Sequence, residues 1–277
     1  MPKIMSDEKA AVRHYADWAS GRKPNLDNPQ RFSEKLVWYK LNGKIPLMEK
    51  VANKYTVREY ILEAGYPELL NELIGVYTDA NDIDFDQLPE RFVLKGSHGS
   101  GMNIIVKDKS KLNIPHTRLM LKSWLNQDIY WSGREWVYKD MPRHIVVEKY
   151  LDDGDGDLRD YKFYCFNGEP RVMQLEIGRG SDGNVRNFYD MDWNLMPFGK
   201  TIPHSPEVIV ERPSKFEEMK EIARVLSKPF QYVRVDFYLV KDKIYFGELT
   251  FFPAGGVADF IPDSYDKIIG DLWELKK

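Results

Sequence analysis

Four polar residues between positions 234 and 250 have the types and the spacing of a metal and phosphate site. They are Arg234, Asp236, Glu248 and Thr250. Because alternate residues of a strand share a face, Arg234 points with Asp236. By the same rule, Glu248 points with Thr250. Two carboxylates and a hydroxyl suit Mg²⁺, and a neighbouring arginine could stabilise charge on a transferring phosphoryl group. The alternative is a cross-strand Arg–Glu surface pair, worth under ~1 kcal/mol.

The pairing of the two strands decides whether these side chains meet. A two-residue turn at 241–242 would direct Glu248 into the apolar layer, where an unpaired carboxylate is costly. A three-residue loop over 241–243 instead pairs Asp236 with Glu248 and keeps the polar set on one face. We therefore predict a three-residue loop, or a bulge with the same effect.

A lysine and a glycine-rich loop form a second polar segment between two predicted strands. The loop follows Lys95 and contains Gly96, Ser97, His98, Gly99, Ser100 and Gly101. Backbone N–H groups of such a loop can approach phosphate oxygens, with the lysine as a point charge. It is not a Walker loop, because no Gly-Lys-Ser/Thr follows. A plain hairpin turn is the alternative for the same residues.

A third polar segment ends an apolar strand. Residues 145–147 are followed by Glu148, Lys149, Tyr150 and Leu151. A strand end that offers backbone groups beside a carboxylate can bind the edge of an adenine ring. A purely structural strand end would have the same pattern.

The composition excludes several classes of protein. The 277 residues are 43% hydrophobic, which predicts a folded globular protein. The net charge of -3 argues against a general nucleic-acid binder. Cys165 is the single cysteine, which excludes an internal disulfide and a multi-cysteine zinc site. Neither a signal peptide nor a long apolar segment is visible, so we expect a cytoplasmic protein without membrane insertion.

The order of predicted elements indicates an α+β protein with largely antiparallel sheets. The first region reads as three helices, one capped by Ser6, one opened by Ser33 and one over 47–64. Beyond it the hydrophobic period changes towards two, and strands and helices mix without βαβ alternation. Asn167-Gly168 predicts a hairpin turn, since both residues tolerate positive φ.

Seven short motifs, read in order, resemble the ATP-grasp superfamily. The similarity is greatest to the TupA-like branch, named for teichuronopeptide biosynthesis, with a nucleotide site like that of D-alanine–D-alanine ligases. The motifs occupy residues 32–36, 54–60, 93–101, 133–136, 160–163, 233–236 and 247–250. The resemblance implies an ATP-grasp fold, with two α+β lobes gripping ATP after an N-terminal helical region. The predicted regions are 1–70 (helical), 71–150 (small lobe with the glycine-rich flap) and 151–277 (large lobe with the metal site).

The resemblance implies which residues bind ATP. Lys54 and Lys95 match the two lysines that contact phosphates, and residues 96–101 match the flap over them. Glu148 would accept from the adenine amine, and Asp160 matches the carboxylate that binds ribose. The residues implied beside the nucleotide are Lys149, Tyr150 and Leu151.

The resemblance also implies a Mg²⁺ site and two catalytic cations. Asp236 and Glu248 match the magnesium ligands. Thr250 stands where an asparagine ligand is usual, so a second magnesium ion would lose an amide ligand. Arg234 matches the arginine at the transferring phosphate, and Lys95 acts with it.

The leading hypothesis is an ATP-dependent carboxylate–amine ligase that acts through an acyl phosphate. The resemblance implies a glycan or uronic acid substrate in surface polysaccharide biosynthesis. A sugar or polysaccharide kinase with the same nucleotide site is the runner-up, and the sequence does not separate the two. A glycan-binding module with a degenerate site is third, with Trp131, Trp136 and Tyr138 as possible sugar contacts. Only helical sequence precedes Lys54, so we expect an acceptor platform that is not Rossmann-like.

Overall fold

A computed structural model describes residues 6–19, 21–154, 158–178, 184–257 and 259–276. Every predicted site residue lies in this part of the chain. The helices are α1 (Asp7–Trp18), α2 (Phe32–Asn42), α3 (Pro46–Ala52), α4 (Val57–Glu63), α5 (Ile114–Asn126), α6 (Tyr130–Gly133), α7 (Phe216–Ser227) and α8 (Ser264–Asp271). The strands are β1 (Leu73–Tyr77), β2 (Phe92–Gly96), β3 (Asn103–Val106), β4 (Ile145–Lys149), β5 (Asp160–Phe166), β6 (Glu169–Ile177), β7 (Val185–Tyr189), β8 (Leu195–Met196), β9 (Gly199–Lys200), β10 (Tyr232–Val240), β11 (Lys243–Thr250) and β12 (Phe260–Ile261). Among the described helices, none combines the length and the apolar character needed to cross a bilayer.

The chain divides into two compact units, each described by itself. The large unit comprises residues 1–45 and 153–277, and the small unit comprises residues 46–152. The predicted boundary at 150 lies close to the end of the small unit. The predicted helical region 1–70 is shared between the units, because α1 and α2 pack in the large unit while α3 and α4 belong to the small one.

The large unit is built on a six-stranded antiparallel sheet in the order β11-β10-β5-β6-β7-β8. Helix α7 covers one face, where the Phe163 ring lies between Phe216 at 5.7 Å and Phe237 at 5.8 Å. The turn between β5 and β6 has positive φ at Asn167 and Gly168, which confirms the predicted hairpin. The sheets are antiparallel and mixed with helices, as the predicted α+β class requires.

The β10–β11 hairpin has a two-residue turn followed by a bulge, which is the second of the two arrangements predicted. Lys241 and Asp242 form the turn with φ of 49° and 59°, and Val240 pairs with Lys243. The pairing then shifts by one residue at Gly247, which forms a bulge. A Cβ at Gly247 would lie 3.0 Å from the carbonyl oxygen of Asp236, which favours glycine there. The bulge has the predicted effect, because it places Asp236 opposite Glu248.

The small unit contains a four-stranded antiparallel sheet in the order β1-β4-β2-β3. One face packs its apolar residues, including Leu94 and Val147, on Leu121 and Trp124 of α5. Successive side chains of a strand point to opposite faces. Lys95 and Glu148 therefore lie on the other face.

The predicted helix 47–64 is interrupted, and the interruption contains Lys54. The Oδ1 atom of Asn53 accepts from the backbone N–H groups of Tyr55 at 2.8 Å and Thr56 at 3.3 Å. This local hydrogen bonding competes with helix continuation. The segment therefore forms α3 and α4 with a turn between them.

The two predicted helix starts have different outcomes. The Ser6 hydroxyl accepts from the backbone N–H of Lys9 at 3.4 Å, so Ser6 caps α1 as predicted. Ser33 does not cap α2, which begins one residue earlier at Phe32. Its hydroxyl instead donates to Asp266 Oδ2 at 2.5 Å.

Candidate functional site

One face of the large-unit sheet carries a continuous set of polar side chains, named here the polar face. Strand pairing places Asp236 between Glu248 on β11 and Lys162 on β5. Directly paired residues of antiparallel strands share a face. By this rule the polar face comprises Glu248, Thr250, Arg234, Asp236, Tyr238, Asp160, Lys162, Tyr164, Gln174, Glu176 and Arg186. The opposite face is the one that α7 covers.

The Arg234 guanidinium connects the predicted metal ligands. Its Nε donates to Asp236 Oδ1 at 2.7 Å, and its Nη2 donates to Asp236 Oδ2 at 2.5 Å. The same Nη2 lies 3.3 Å from Glu248 Oε1 and 3.2 Å from Thr250 Oγ1. Burial alone would lower the pKa of Arg234, but the Asp236 carboxylate raises that pKa well above its usual value. All four residues predicted around this hairpin therefore lie together.

Lys162 is a member of this network to which the sequence analysis assigned no role. Its Nζ lies 3.1 Å from Asp160 Oδ1 and 3.2 Å from Asp236 Oδ2. Only 4% of Lys162 is exposed, so both ion pairs are shielded from water. A sequence signal was available, because Asp160 and Lys162 alternate with aromatic residues in one strand. Asp160, predicted to bind ribose, here forms an ion pair with a buried lysine.

The ligand set of the polar face fits a magnesium ion in chemistry and charge. Asp236, Glu248 and Thr250 offer only oxygen atoms, which Mg²⁺ prefers. The carboxylates of Asp160, Asp236 and Glu248 outnumber the cations Lys162 and Arg234 by one. The Glu248 side chain is 37% exposed while that of Asp236 is 3% exposed, so Glu248 is the more accessible ligand.

A complete metal site made by protein side chains alone is not present in the described residues. No group of three or more histidine, cysteine, aspartate or glutamate side chains there could hold a metal ion. Magnesium is commonly held by one or two carboxylates together with substrate phosphates and waters. The carboxylates of Asp236 and Glu248 on one face therefore provide the number of protein ligands that such a magnesium site needs.

Lys95 and Glu148 form an ion pair on the small-unit sheet. Lys95 Nζ lies 2.6 Å from Glu148 Oε2, and Arg58 Nη1 lies 3.6 Å from Glu148 Oε1. Glu148 is 8% exposed, although its position ends a strand. Arg58 was missed as a neighbour of this carboxylate, because the contact joins a helix to a strand far along the chain. Lys95, predicted to contact phosphates, and Glu148, predicted to contact adenine, therefore contact each other directly.

The three residues after Glu148 do not all lie with it. Lys149 belongs to the opposite sheet face by strand alternation, and its Nζ pairs with Glu72 Oε2 at 3.0 Å on the surface. Tyr150 lies under the Arg91 guanidinium, 5.3 Å from the ring centroid. Tyr150 and Leu151 are half-buried.

The turn that carries Lys54 contacts the glycine-rich loop. The backbone N–H of Lys54 donates to the Ser97 carbonyl at 3.0 Å, and Lys54 Nζ donates to the Gly99 carbonyl at 2.5 Å. Asn53 donates its amide to the Pro142 carbonyl at 2.9 Å. Lys54, predicted to contact phosphates, and the predicted flap therefore contact each other directly within the small unit.

The glycine-rich loop is partly a structural element. Ser97 and His98 are buried, whereas Ser100 and Gly101 are exposed. His98 Nε2 lies 2.8 Å from the Trp124 carbonyl oxygen, and burial lowers the pKa of His98. The side chains of Ser97 and His98 therefore anchor the loop, and its exposed tip at 100–101 is the part suited to approach a ligand.

Comparison with known proteins gives one family. A family model described as TupA-like ATPgrasp matches residues 34–274. No curated protein has a significant sequence match to the chain.

Several solved structures are similar to this chain. The D-alanine–D-alanine ligase from Bacillus anthracis, complexed with ATP, is 17% identical, with 73% of this chain and 55% of that chain covered and a TM-score of 0.44. The corresponding ligase from Helicobacter pylori is 16% identical, with 75% and 53% covered and a TM-score of 0.43. An L-amino acid ligase from Bacillus licheniformis is 14% identical, with 88% and 55% covered and a TM-score of 0.46. The chain spans about half the length of these proteins.

Proposed function

The chain belongs to the TupA-like ATP-grasp family, and from that premise we propose that it is an ATP- and magnesium-dependent carboxylate–amine ligase of the cytoplasm. In this reaction a substrate carboxylate oxygen attacks the γ-phosphorus of ATP, which yields an acyl phosphate and ADP. An amine then attacks the acyl carbon, the amide bond forms, and inorganic phosphate leaves.

The position of Arg234 carries the proposal. One buried guanidinium contacts Asp236, Glu248 and Thr250 on a single sheet face. A fixed cation beside two magnesium-type carboxylates is arranged to stabilise negative charge on a transferring phosphoryl group. An exposed surface ion pair does not fit, because Asp236 is 2% exposed.

The other residues of the polar face support Arg234. Lys162 holds Asp236 from the side opposite Glu248, and therefore fixes where that carboxylate points. Asp236 and Glu248 would hold magnesium, which when bound would neutralise phosphate charge and orient the phosphoryl group.

In the small unit we assign Lys54 and Lys95 to the ATP phosphates and Glu148 to the adenine amine. Lys95 is held by a carboxylate and Lys54 by a backbone carbonyl, and phosphate oxygens can replace both partners. Glu148 lies on the sheet face opposite the apolar core, which supports its assignment to a ligand.

We further propose a glycan carboxylate, such as a uronic acid, as the substrate of a surface-polysaccharide pathway. Trp131 is 51% exposed, and the Arg134 guanidinium lies 4.3 Å from its ring centroid. An exposed aromatic face beside a guanidinium suits the apolar side of a sugar ring together with its carboxylate. Trp136 is 7% exposed and belongs to the core, so it does not support this assignment.

The test supplies ATP and magnesium with panels of uronates and amines and measures phosphate release and product mass. With an ¹⁸O-labelled carboxylate, a ligase transfers one labelled oxygen to inorganic phosphate. A kinase instead gives ADP and a phosphorylated product without free phosphate. ATP turnover that no carboxylate stimulates would contradict the ligase assignment.

A further inference from the structure

The polar face of the large unit contains a fixed cation, Lys162, among its carboxylates. Lys162 lies directly opposite Asp236 in the pairing of β5 with β10. Its Nζ lies 3.1 Å from Asp160 Oδ1 and donates to Asp236 Oδ2 at 3.2 Å. The lysine is 4% exposed, so solvent screens these contacts only weakly. A positive charge is therefore present at this position before any metal ion binds.

The Asp236 carboxylate has room for about one further ligand. Its Oδ1 accepts from Arg234 Nε at 2.7 Å, and its Oδ2 accepts from Arg234 Nη2 at 2.5 Å and from Lys162 Nζ at 3.2 Å. A carboxylate offers about four acceptor positions. The three bonds present leave about one position, which suffices for one metal ion but not for bridging two.

The oxygen atoms of Glu248 and Thr250, on the other side of Asp236, also contact a cation. Arg234 Nη2 lies 3.3 Å from Glu248 Oε1 and 3.2 Å from Thr250 Oγ1. The Thr250 hydroxyl donates to the same Glu248 oxygen at 3.2 Å. Lys162 on β5 and Arg234, which reaches β11, therefore place positive charge on both sides of Asp236.

The charge of the polar face sets the same limit as its geometry. Its carboxylates exceed its cations by one, since the charged members are Asp160, Glu176, Asp236 and Glu248 against Lys162, Arg186 and Arg234. One Mg²⁺ more than neutralises this excess. A second would depend on phosphate oxygens alone, and a buried ammonium would repel it.

We propose that Lys162 acts as a fixed cation in place of a second magnesium ion, so that the protein binds one Mg²⁺ per ATP. The inference rests on the ATP- and magnesium-dependent function proposed above and is independent of the acceptor. In a two-metal site both ions neutralise phosphate charge. Here the chain itself supplies one of the two positive charges. Lys162 acts through Asp236 and Asp160, so it is a positioning residue.

The experiment counts metal ions with Mn²⁺, which takes the same oxygen ligands as Mg²⁺ and loses its sharp EPR signal on binding. Mn²⁺ is titrated into the full chain with a β,γ-imido analogue of ATP, with protein in excess so that all nucleotide is bound. The wild type should bind one Mn²⁺ per nucleotide. Lys162→Met removes the charge, and it should bind a second Mn²⁺ at least about 10-fold more tightly than the wild type does. A purely structural ion pair would leave this count unchanged.

Two further variants separate the effect of charge from that of space. Lys162→Met combined with Asp160→Asn removes one cation and one carboxylate, so the charge balance is restored while the vacated space remains. This double variant should bind one Mn²⁺. It also removes a buried carboxylate that has lost its lysine, which favours folding. Lys243→Met removes an exposed cation from β11 and should likewise bind one Mn²⁺.

The outcomes separate this inference from the proposed function. Two Mn²⁺ ions per nucleotide in the wild type would overturn the inference and leave the ATP and magnesium site intact. One ion in folded Lys162→Met, or two in the double variant, would also overturn it, because the charge of Lys162 would not set the number. If thermal melting shows that Lys162→Met does not fold, the wild-type count decides. Failure of the wild type to bind the analogue with Mn²⁺ would overturn the proposed ATP- and magnesium-dependent function as well.

Discussion

The polar faces of the two sheets hold their charges in different ways. On the large-unit sheet, Asp236 accepts from Arg234 and pairs with Lys162, and all three are largely shielded from water. In the small unit, Lys95 pairs with Glu148, and Lys54 donates to the Gly99 carbonyl of the loop. The first arrangement is cross-linked before any ligand binds, whereas the second uses partners that a ligand can replace.

This difference has an energetic consequence. Removing one member of a buried, cross-linked set leaves charges without compensation, which costs stability as well as activity. Removing Lys95 leaves Glu148 paired with Arg58 at 3.6 Å, so the cost is mainly the lost interaction with the ligand. Substitutions in the two units should therefore separate stability effects from binding effects.

Asp236→Asn should have the largest effect. It leaves the buried cations Arg234 and Lys162 with one carboxylate each, so the free energy of unfolding should fall by on the order of 3 kcal/mol. Acceptor-dependent phosphate release should be lost as well. Chemical denaturation and a steady-state phosphate assay check both effects.

The control for Asp236→Asn is Asp263→Asn in the same unit. Asp263 pairs with Arg22 and Arg31 but is 57% exposed, so its loss should cost less than about 1 kcal/mol. Equal destabilisation by the two substitutions would contradict the contrast between buried and exposed charge.

Lys200→Met should change the free energy of unfolding in the opposite direction and stabilise the protein at neutral pH. The pKa of Lys200 falls from 10.5 in the unfolded chain to about 7 in the folded one, so the unfolded chain binds the extra proton between these values. Stability therefore rises with pH through that window, and the cost is fully present below its lower end. Removing the amine should raise the free energy of unfolding at neutral pH by on the order of 1–2 kcal/mol, because the rings of Phe32, Phe260 and Tyr164 stabilise the ammonium and offset part of the desolvation cost.

The pH dependence distinguishes this effect from improved packing. The gain of Lys200→Met should shrink as the pH rises towards 10.5, as measured by urea denaturation across that range. A gain that is independent of pH, or a loss of stability at neutral pH, would contradict a net desolvation cost for Lys200 among the rings of Phe32, Phe260 and Tyr164.

Lys54→Ala and Lys95→Ala should each weaken ATP binding or turnover without unfolding the protein. Each loses a charge-assisted contact with phosphate, worth about 1.5–3 kcal/mol or roughly 10- to 150-fold in affinity or turnover. Calorimetric titration with ATP and magnesium measures the change, and thermal melting checks the fold. Lys111→Ala, whose partner Asp108 lies in an exposed pair, is the control. Normal kinetics in both variants would refute the phosphate assignment.

Glu148 should give the smallest effect, a preference for ATP over GTP. Guanine presents a carbonyl where adenine presents an amine, and two facing acceptors cost about 1–3 kcal/mol. Competition between the two nucleotides measures the preference, and Glu148→Gln should reduce it. Equal use of both nucleotides by the wild type would contradict the assignment of Glu148 to the adenine amine.

The sequence predicted several features because they depend on neighbouring residues. Alternation along β10 and β11 placed Arg234 with Asp236 and Glu248 with Thr250, and strand pairing confirms that these pairs face each other. The α+β class and the Asn167-Gly168 turn followed from hydrophobic period and turn chemistry. The prediction of a three-residue loop or an equivalent bulge is confirmed in its second form, because the bulge at Gly247 restores the parity of the pairing after a two-residue turn. The sequence did not decide between the two forms, since a bulge can restore the parity anywhere along a hairpin.

The errors in the helical region have a related cause. The pattern over 47–64 is apolar at helical spacing, but it does not reveal that Asn53 turns its side chain back onto the following backbone. Ser33 has the residue type of a cap, yet it is buried against Asp266 from the far end of the chain. Local propensity is a weak guide where a distant partner offers a better hydrogen bond.

By itself the sequence determined which chemical groups the chain contains and which of them share a face of a strand, because strand alternation depends only on neighbouring residues. The tertiary structure alone decided which charges neutralise one another. Lys162 and Lys200 both stand among apolar or aromatic residues. Asp160 lies two residues before Lys162, but neither segment shows which distant groups meet the two amines. Folding places Lys162 between two carboxylates and Lys200 among Phe32, Phe260 and Tyr164. The free energy of a buried charge depends on such neighbours, which come from distant parts of the chain.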